Sequence, residues 1–252
     1  MMLDTRVDAG IATLVLNHPP LNVLTRALLG DLRASLTNLG NRQDVRVLIL
    51  ASTGKHFSAG ADVEEHLPPA YQDLIPEFID TIEAVASFPL PTIAAVRGRC
   101  LGAGFELVQA ADLIVAGEGA MFGQPEILLG VTAPAACALL PRRASPGLAA
   151  EILFTGDSIS ARRALESGLV QRVVPDEKVD AEAAALAARC ARHSAPALYA
   201  TKRTLLAAGR RSRAEGLRAA AAIYRNELME ASDAVEGLRA FLEKRAPVWE
   251  HR

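Results

Sequence analysis

Apolar residues fall into short unbroken runs early in the chain and into helical stripes near its end. "IATLVLN" (Ile11–Asn17) reads as a strand, stopped by "HPPLN", because two prolines cannot continue a ladder. Leucines at 28, 29, 32, 36 and 39 recur at helical spacing, and Thr25 is placed to cap that helix. "VRVLILA" (Val45–Ala51) is apolar almost throughout, the mark of a strand buried on both faces. A Gly- and Ser-rich loop, "STGKHFSAGAD", follows, and then a helix over Tyr71–Ser87. Further strands are predicted at Thr92–Val96, at "DLIVAG" and at Leu169–Val174, with a short helix over Ala103–Ala110. Ala-rich helical segments fill 177–194, 196–208, 213–231 and 233–244, with Gly209 and Asp233 as helix punctuation. Strands alternating with helices predict an α/β class with parallel pairing. The change of character places a boundary near 190, between an α/β core (1–190) and a helical C-terminal region (191–252).

Composition narrows the function classes. The chain has 252 residues, 27 basic and 29 acidic, so nothing calls for a nucleic-acid or membrane partner. Cys100, Cys137 and Cys190 are odd in number and widely spaced, which fits neither a disulfide framework nor a metal site and suits a reducing cytoplasm. The N-terminus has no apolar signal core, and no run reaches membrane-spanning length. The five histidines are scattered and read as surface or polar-packing residues rather than metal ligands.

Two loops and two acids carry the candidate chemistry. Gly102-Ala103-Gly104 leads straight into a helix, whose first N–H groups lack internal partners. "SAGAD" (Ser58–Asp62) is a second small-residue loop. One N–H from each would make an oxyanion hole, although either loop alone reads as a tight turn. Glu106 and Glu126 each sit among apolar neighbours. Facing one pocket they would form an acid/base pair titrating as a unit; taken singly, each reads as an exposed acid. "GAGFEL" has Leu107 where a dinucleotide fingerprint has its third glycine, and no phosphate loop or GxSxG elbow is present.

"HFSAGADV" with "RGRCLGAGFELVQAADLIVAGEGAMFGQPEILLG" resembles the crotonase, or enoyl-CoA hydratase/isomerase, family. "HPPLNVL", "ILFTGDSISARRALESGLVQRVVP" and "EGLRAFLEKRAPVW" extend the likeness over nearly the whole chain in the expected order. The resemblance implies a spiral of repeated ββα units followed by helices that build a homotrimer, often a dimer of trimers.

It also implies site residues. The two oxyanion donors fall on the backbone N–H groups of Ala61 and Ala103, the latter standing where Gly is commoner. The hydratases' two glutamates fall on Glu106, as the base that holds water, and Glu126, which exchanges the proton at C2. The substrate implied is an acyl-CoA, a 2-enoyl thioester, with no cofactor beyond the coenzyme A that is part of it. Substrate or CoA contacts fall on Ser58, Ala59, Gly60, Asp62, Val63 and Gly102, and, reaching a neighbouring subunit, on Phe241 and Lys244. Glu64 stands where a basic residue often follows the loop motif, which removes one expected phosphate contact. "VTAPAACALLPRR" replaces the usual Gly-rich stretch after "LLG", and with "PPLNVL" and "FSAGADVEEH" resembles the cyclic dienoyl-CoA hydratases. The rival readings are an isomerase, thioester hydrolase or decarboxylase on the same scaffold, or a non-catalytic or RNA-binding relative.

Overall fold

The computed structural model describes residues 2–209 and 211–252. In chain order, β1 (Leu3–Asp8), β2 (Ile11–Leu16), α1 (Arg26–Gly40), β3 (Val47–Ser52), α2 (Tyr71–Ala86) and β4 (Thr92–Val96) open the fold. The middle contains β5 (Arg99–Leu101), α3 (Ala103–Ala110), β6 (Leu113–Gly117), β7 (Met121–Gly123), α4 (Pro134–Arg143), α5 (Pro146–Thr155), β8 (Ile159–Ser160), α6 (Ala161–Glu166) and β9 (Arg172–Val174). Four helices end it: α7 (Val179–Ala191), α8 (Ala195–Gly209), α9 (Arg213–Asn226) and α10 (Ser232–Glu243).

A six-stranded sheet runs β1-β2-β3-β4-β6-β9, and a three-stranded sheet runs β5-β7-β8. In the large sheet only β1 and β2 are antiparallel. Burial on both faces explains the unbroken apolar run of β3. Val47, Ile49 and Ala51 pack with Val179, Ala183 and Ala187 of α7, while Leu48 and Leu50 join the main core with Leu28, Leu29 and Leu32 of α1. No helix among the described residues is long and apolar enough to cross a membrane.

Several elements differ from the sequence reading. β1 has no apolar alternation because it is an edge strand, exposed at Asp4, Thr5 and Arg6. It is defined instead by the turn Ala9-Gly10, whose φ angles of 46° and 80° suit a two-residue hairpin. The α4–α6 helices begin with local signals rather than long stripes: Pro134 and Pro146 in the first turn, and Ser145 and Ser160 as side-chain caps. The 213–231 helix stops at Asn226 and resumes as a 3-10 turn, Leu228–Glu230. The strand expected from Leu169 is confined to Arg172–Val174. Asp233 does not cap α10, whose N-cap is Ala231. Its buried carboxylate accepts from the Glu250 and His251 N–H groups (2.7 and 3.1 Å) and so fastens the C-terminal tail.

The helix that carries Glu106 is held at its far end. Lys202 on α8, 4% exposed, donates to both carboxylate oxygens of Asp112, just beyond α3 (2.6 Å each). The same carboxylate accepts from the Thr92 N–H and hydroxyl (2.8 and 3.0 Å). The Arg143 guanidinium donates to the Gln109, Ala111 and Asp112 carbonyls, the backbone acceptors that α3 leaves open at its end.

Candidate active site

The loop after β3 is stitched down on both sides. Ser58 N–H donates to Arg99 O (3.2 Å), and Ser58 O accepts from Leu101 N–H (3.0 Å), which pairs the loop with β5. Leu24 N–H donates to Gly60 O (2.9 Å) and Asp62 N–H to Leu24 O (3.2 Å). These bonds flank Ala61 and leave its own N–H directed to the other side, as alternation along an extended strand requires. Gly60 has φ of 115°, a conformation in which a side chain would be strained.

The second loop meets the first. Gly102 has φ of 53° and turns β5 into α3, so Ala103 supplies the first N–H of the helix. The turn is pinned by Gly102 N–H donating to Gly123 O, and by Glu106 N–H donating to Gly102 O, both at 2.9 Å. A β-carbon on Gly60 would stand 3.9 Å from the Ala103 nitrogen and 4.0 Å from the Gly102 Cα. Neither the Ala61 nor the Ala103 N–H has an acceptor among the described residues.

Glu126 lies against this junction, and Glu106 is close enough to feel its charge. A β-carbon on Gly102 would come within 2.8 Å of the Glu126 Oε1. Glu126 follows β7 in a 3-10 turn, Pro125–Leu129, and is half-buried. Glu106 is 2% exposed, which rules out the solvent-facing alternative for it. Its Oε1 accepts from the Ala136 N–H (2.8 Å) in the first turn of α4, where the helix dipole favours an acid. Burial nevertheless pushes the Glu106 carboxyl up to about 8, and the charge of Glu126 adds to the rise; the Ala136 and Ala135 N–H groups oppose it. Burial also raises Glu126, opposed by its own N–H and by the nearby His66.

Three polar residues outside the sequence reading complete the constellation. Gln109 and Gln124 are both buried. The surrounding donors and acceptors fix the Gln124 amide so that its Nε2 donates to the Glu126 Oε2 and Oε1 (3.1 and 3.2 Å) and to Gly102 O (3.3 Å). Its oxygen accepts from Gln109 Nε2 (2.9 Å). His66 Nδ1–H donates to Asp62 O (2.7 Å), which fixes its tautomer and orientation. It therefore influences an acid of the site, where the sequence reading had it as surface or packing. Gln109 lies three residues after Glu106, so helical spacing could have pointed to it, whereas Gln124 precedes a 3-10 turn and has no periodic signal.

The other expected residues divide. The Ser58 side chain is fully buried, its Oγ accepts from Gly60 N–H (3.2 Å), and it packs against Gly104. Small residues recur in this loop partly for that reason. Ala59 is half-buried, with its N–H bonded to Leu21 O (2.9 Å). Asp62 accepts from Glu64 N–H (2.8 Å) and shapes the next turn, while Val63 is exposed. Phe241, 82% exposed, and Lys244, at the C-cap of α10, lie outside the groove that Glu126 lines. That groove, about 330 Å³, runs between α4 and α5 and is lined among others by Gln124, Val131, Thr132, Cys137, Pro141 and Phe154.

Known proteins resemble this chain along nearly its whole length. The profile of the enoyl-CoA hydratase/isomerase family matches residues 6–252. The chain is 37% identical to the cyclohexa-1,5-dienecarbonyl-CoA hydratase of Thauera aromatica, over 97% of this chain and 95% of that protein. It is 36% identical to a probable enoyl-CoA hydratase of Bacillus subtilis, over 97% of each. A crystal structure of an enoyl-CoA hydratase from Bacillus anthracis superposes with a TM-score of 0.95 at 32% identity, covering all of both chains. With residues 6–252 matched and the architecture shared end to end, the chain belongs to the enoyl-CoA hydratase/isomerase family and has the crotonase fold.

Proposed function

We propose that this chain adds water across the 2,3 double bond of a 2-enoyl-CoA thioester. Four observations support the reading: the loops of Ala61 and Ala103 meet at the Gly60–Gly102 contact, neither of these N–H groups has an acceptor among the described residues, Glu126 abuts Gly102, and the buried Glu106 feels the charge of Glu126. The thioester oxygen accepts from the two N–H groups and takes up negative charge as water adds at C3. Removing one such donor from other enzymes costs about 3 kcal/mol of barrier stabilisation. Hydration leaves OH on C3 and H on C2, so one carboxylate must take a proton from water while the other delivers one to C2. A pair sharing a single proton does both. Burial favours that proton on Glu106. The resemblance makes Glu106 the base, which requires substrate and water to move the proton to Glu126 before attack.

An isomerase can run on one carboxylate, so dependence on both favours hydration. The test is a spectrophotometric assay of enoyl-CoA hydration with Glu106→Gln and Glu126→Gln beside the parent. Near-parental turnover by either variant would end the two-acid reading.

The acyl group is proposed to be cyclic and unsaturated. Pro134, Ala136 and Cys137 occupy α4, where the resemblance leads one to expect a Gly-rich stretch, and Cys137 and Pro141 shape the groove beside Glu126. The 37% identity to a relative acting on cyclohexa-1,5-dienecarbonyl-CoA supports the same choice. Faster turnover of crotonyl-CoA than of the cyclic dienoyl thioester would count against it. Assembly as a homotrimer, with Phe241 and Lys244 reaching a neighbour's CoA, is proposed from the resemblance; light scattering and a Phe241→Ala variant test it.

A further inference from the structure

We propose that Gln109 is a positioning residue for Glu126, acting through the amide of Gln124. Gln109 Nε2 donates to the Gln124 oxygen at 2.9 Å, and that bond sets which face of the Gln124 amide meets the carboxylate. The face presented is the NH₂, which donates to both Glu126 oxygens and to Gly102 O, the carbonyl beside the Ala103 N–H. One amide therefore ties an acid of the site to the turn that supplies an oxyanion donor, and a second amide locks the first.

Packing does not account for the pair. Gln109 is 2% exposed and Gln124 1%. Gln109 Oε1 has no partner among the described residues, so the fold carries an orphaned buried acceptor there. A methionine or leucine on this face of α3 would fill similar volume without that penalty. A residue that costs stability yet aims its donor at a carboxylate's partner is placed for chemistry.

The consequence for protons follows from donor direction. A carboxylate that accepts N–H bonds is favoured in its ionised form. By its geometry the Gln124 NH₂ favours the ionised form of Glu126, whose carboxyl burial raises, while Glu106 takes its N–H from the start of α4. The other titratable groups facing Glu126 are Glu106 from α3, His66 from the turn after the first loop, and Cys137 from α4; α5 contributes only apolar residues to the groove.

The inference rests on Glu126 serving as a proton carrier in hydration, so the test has a readout that needs no turnover. ¹³C-carboxyl NMR of glutamate-labelled protein follows the Glu126 titration in the parent, Gln109→Met, Gln124→Met and the double variant. Both single variants should titrate Glu126 higher by about one pH unit, with the double no higher than Gln124→Met alone. The acid limb of kcat/KM should move up by the same amount, KM for the thioester should stay within about twofold, and the Tm of Gln109→Met should equal or exceed the parent's. An unchanged Glu126 titration in Gln109→Met, or additive shifts in the double variant, would overturn the proposal. So would a fall in Tm with an unmoved profile, which is the signature of packing. If hydration itself fails while the NMR shifts appear, the proton-carrier reading is wrong and the positioning stands.

Discussion

The Glu106 carboxylate is buried against the start of α4, with its Oε1 2.8 Å from the Ala136 nitrogen. One N–H and a helix terminus do not make up for the water it has lost, and the group is pushed up to about 8. The native state thus binds a proton between about 4.5 and 8 that the unfolded chain has released. Stability from this group is full below its unfolded value and is lost as pH rises through the folded one. The parent should lose about 4 kcal/mol between pH 5 and pH 9 from this source. Glu106→Gln keeps an oxygen for Ala136 N–H and has nothing to titrate. It should unfold at higher denaturant than the parent at pH 9 while turnover falls about 10²–10⁴-fold. Parallel urea titrations at the two pH values check this.

Ala103→Pro removes one N–H at the first position of α3, where a helix tolerates proline because that group has no internal acceptor. Helix content by circular dichroism should be retained. The value of kcat should fall about 10²–10³-fold if the Ala103 N–H serves the thioester oxygen. Full activity in a folded Ala103→Pro protein would remove that donor from the mechanism.

Gly102→Ala faces two obstacles. Its φ of 53° is strained for alanine, and the new methyl would press to 2.8 Å from the Glu126 Oε1. Backbone strain alone should cost about 1–2 kcal/mol. Displacement of the acid should lower kcat beyond what that loss explains, as a thermal melt and a rate on one sample would separate.

Cys137→Phe places a larger side chain in the groove that Glu126 lines. KM for a ring-bearing enoyl-CoA should rise about tenfold or more, corresponding to over 1.4 kcal/mol, with a smaller change for crotonyl-CoA. Equal effects on both substrates would place the ring elsewhere.

Strands buried on both faces were legible in the chain because β3 and β4 have polar residues only at their ends, Ser52 and Thr92. The leucine stripe of α1 was legible for the complementary reason, with one face buried and the other wet. Glu106 stood out as an acid in an apolar setting, and its burial agrees. The edge strand β1 and the helices α4–α6 were not legible, since a hairpin turn and first-turn prolines define them rather than periodicity. The inward turn of the Ser58 side chain was not legible, because a small polar residue in such a loop looks the same whether it faces outward or inward. Gln109, Gln124 and His66 escaped because their significance lies in what tertiary folding brings beside them; Gln109 and the carboxylate it serves are seventeen positions apart in sequence.

The Lys202–Asp112 ion pair has a consequence for engineering. Deleting α8 would leave a charge stranded at one end of α3, while Glu106 sits near the other end. Glu106 and Asp112 are only six positions apart along a rigid helix and its end, so a disturbance at the rear would be transmitted to the acid as a tilt. A minimised enzyme trimmed to its sheet and inner helices would thus keep every reacting group and still misaim one of them.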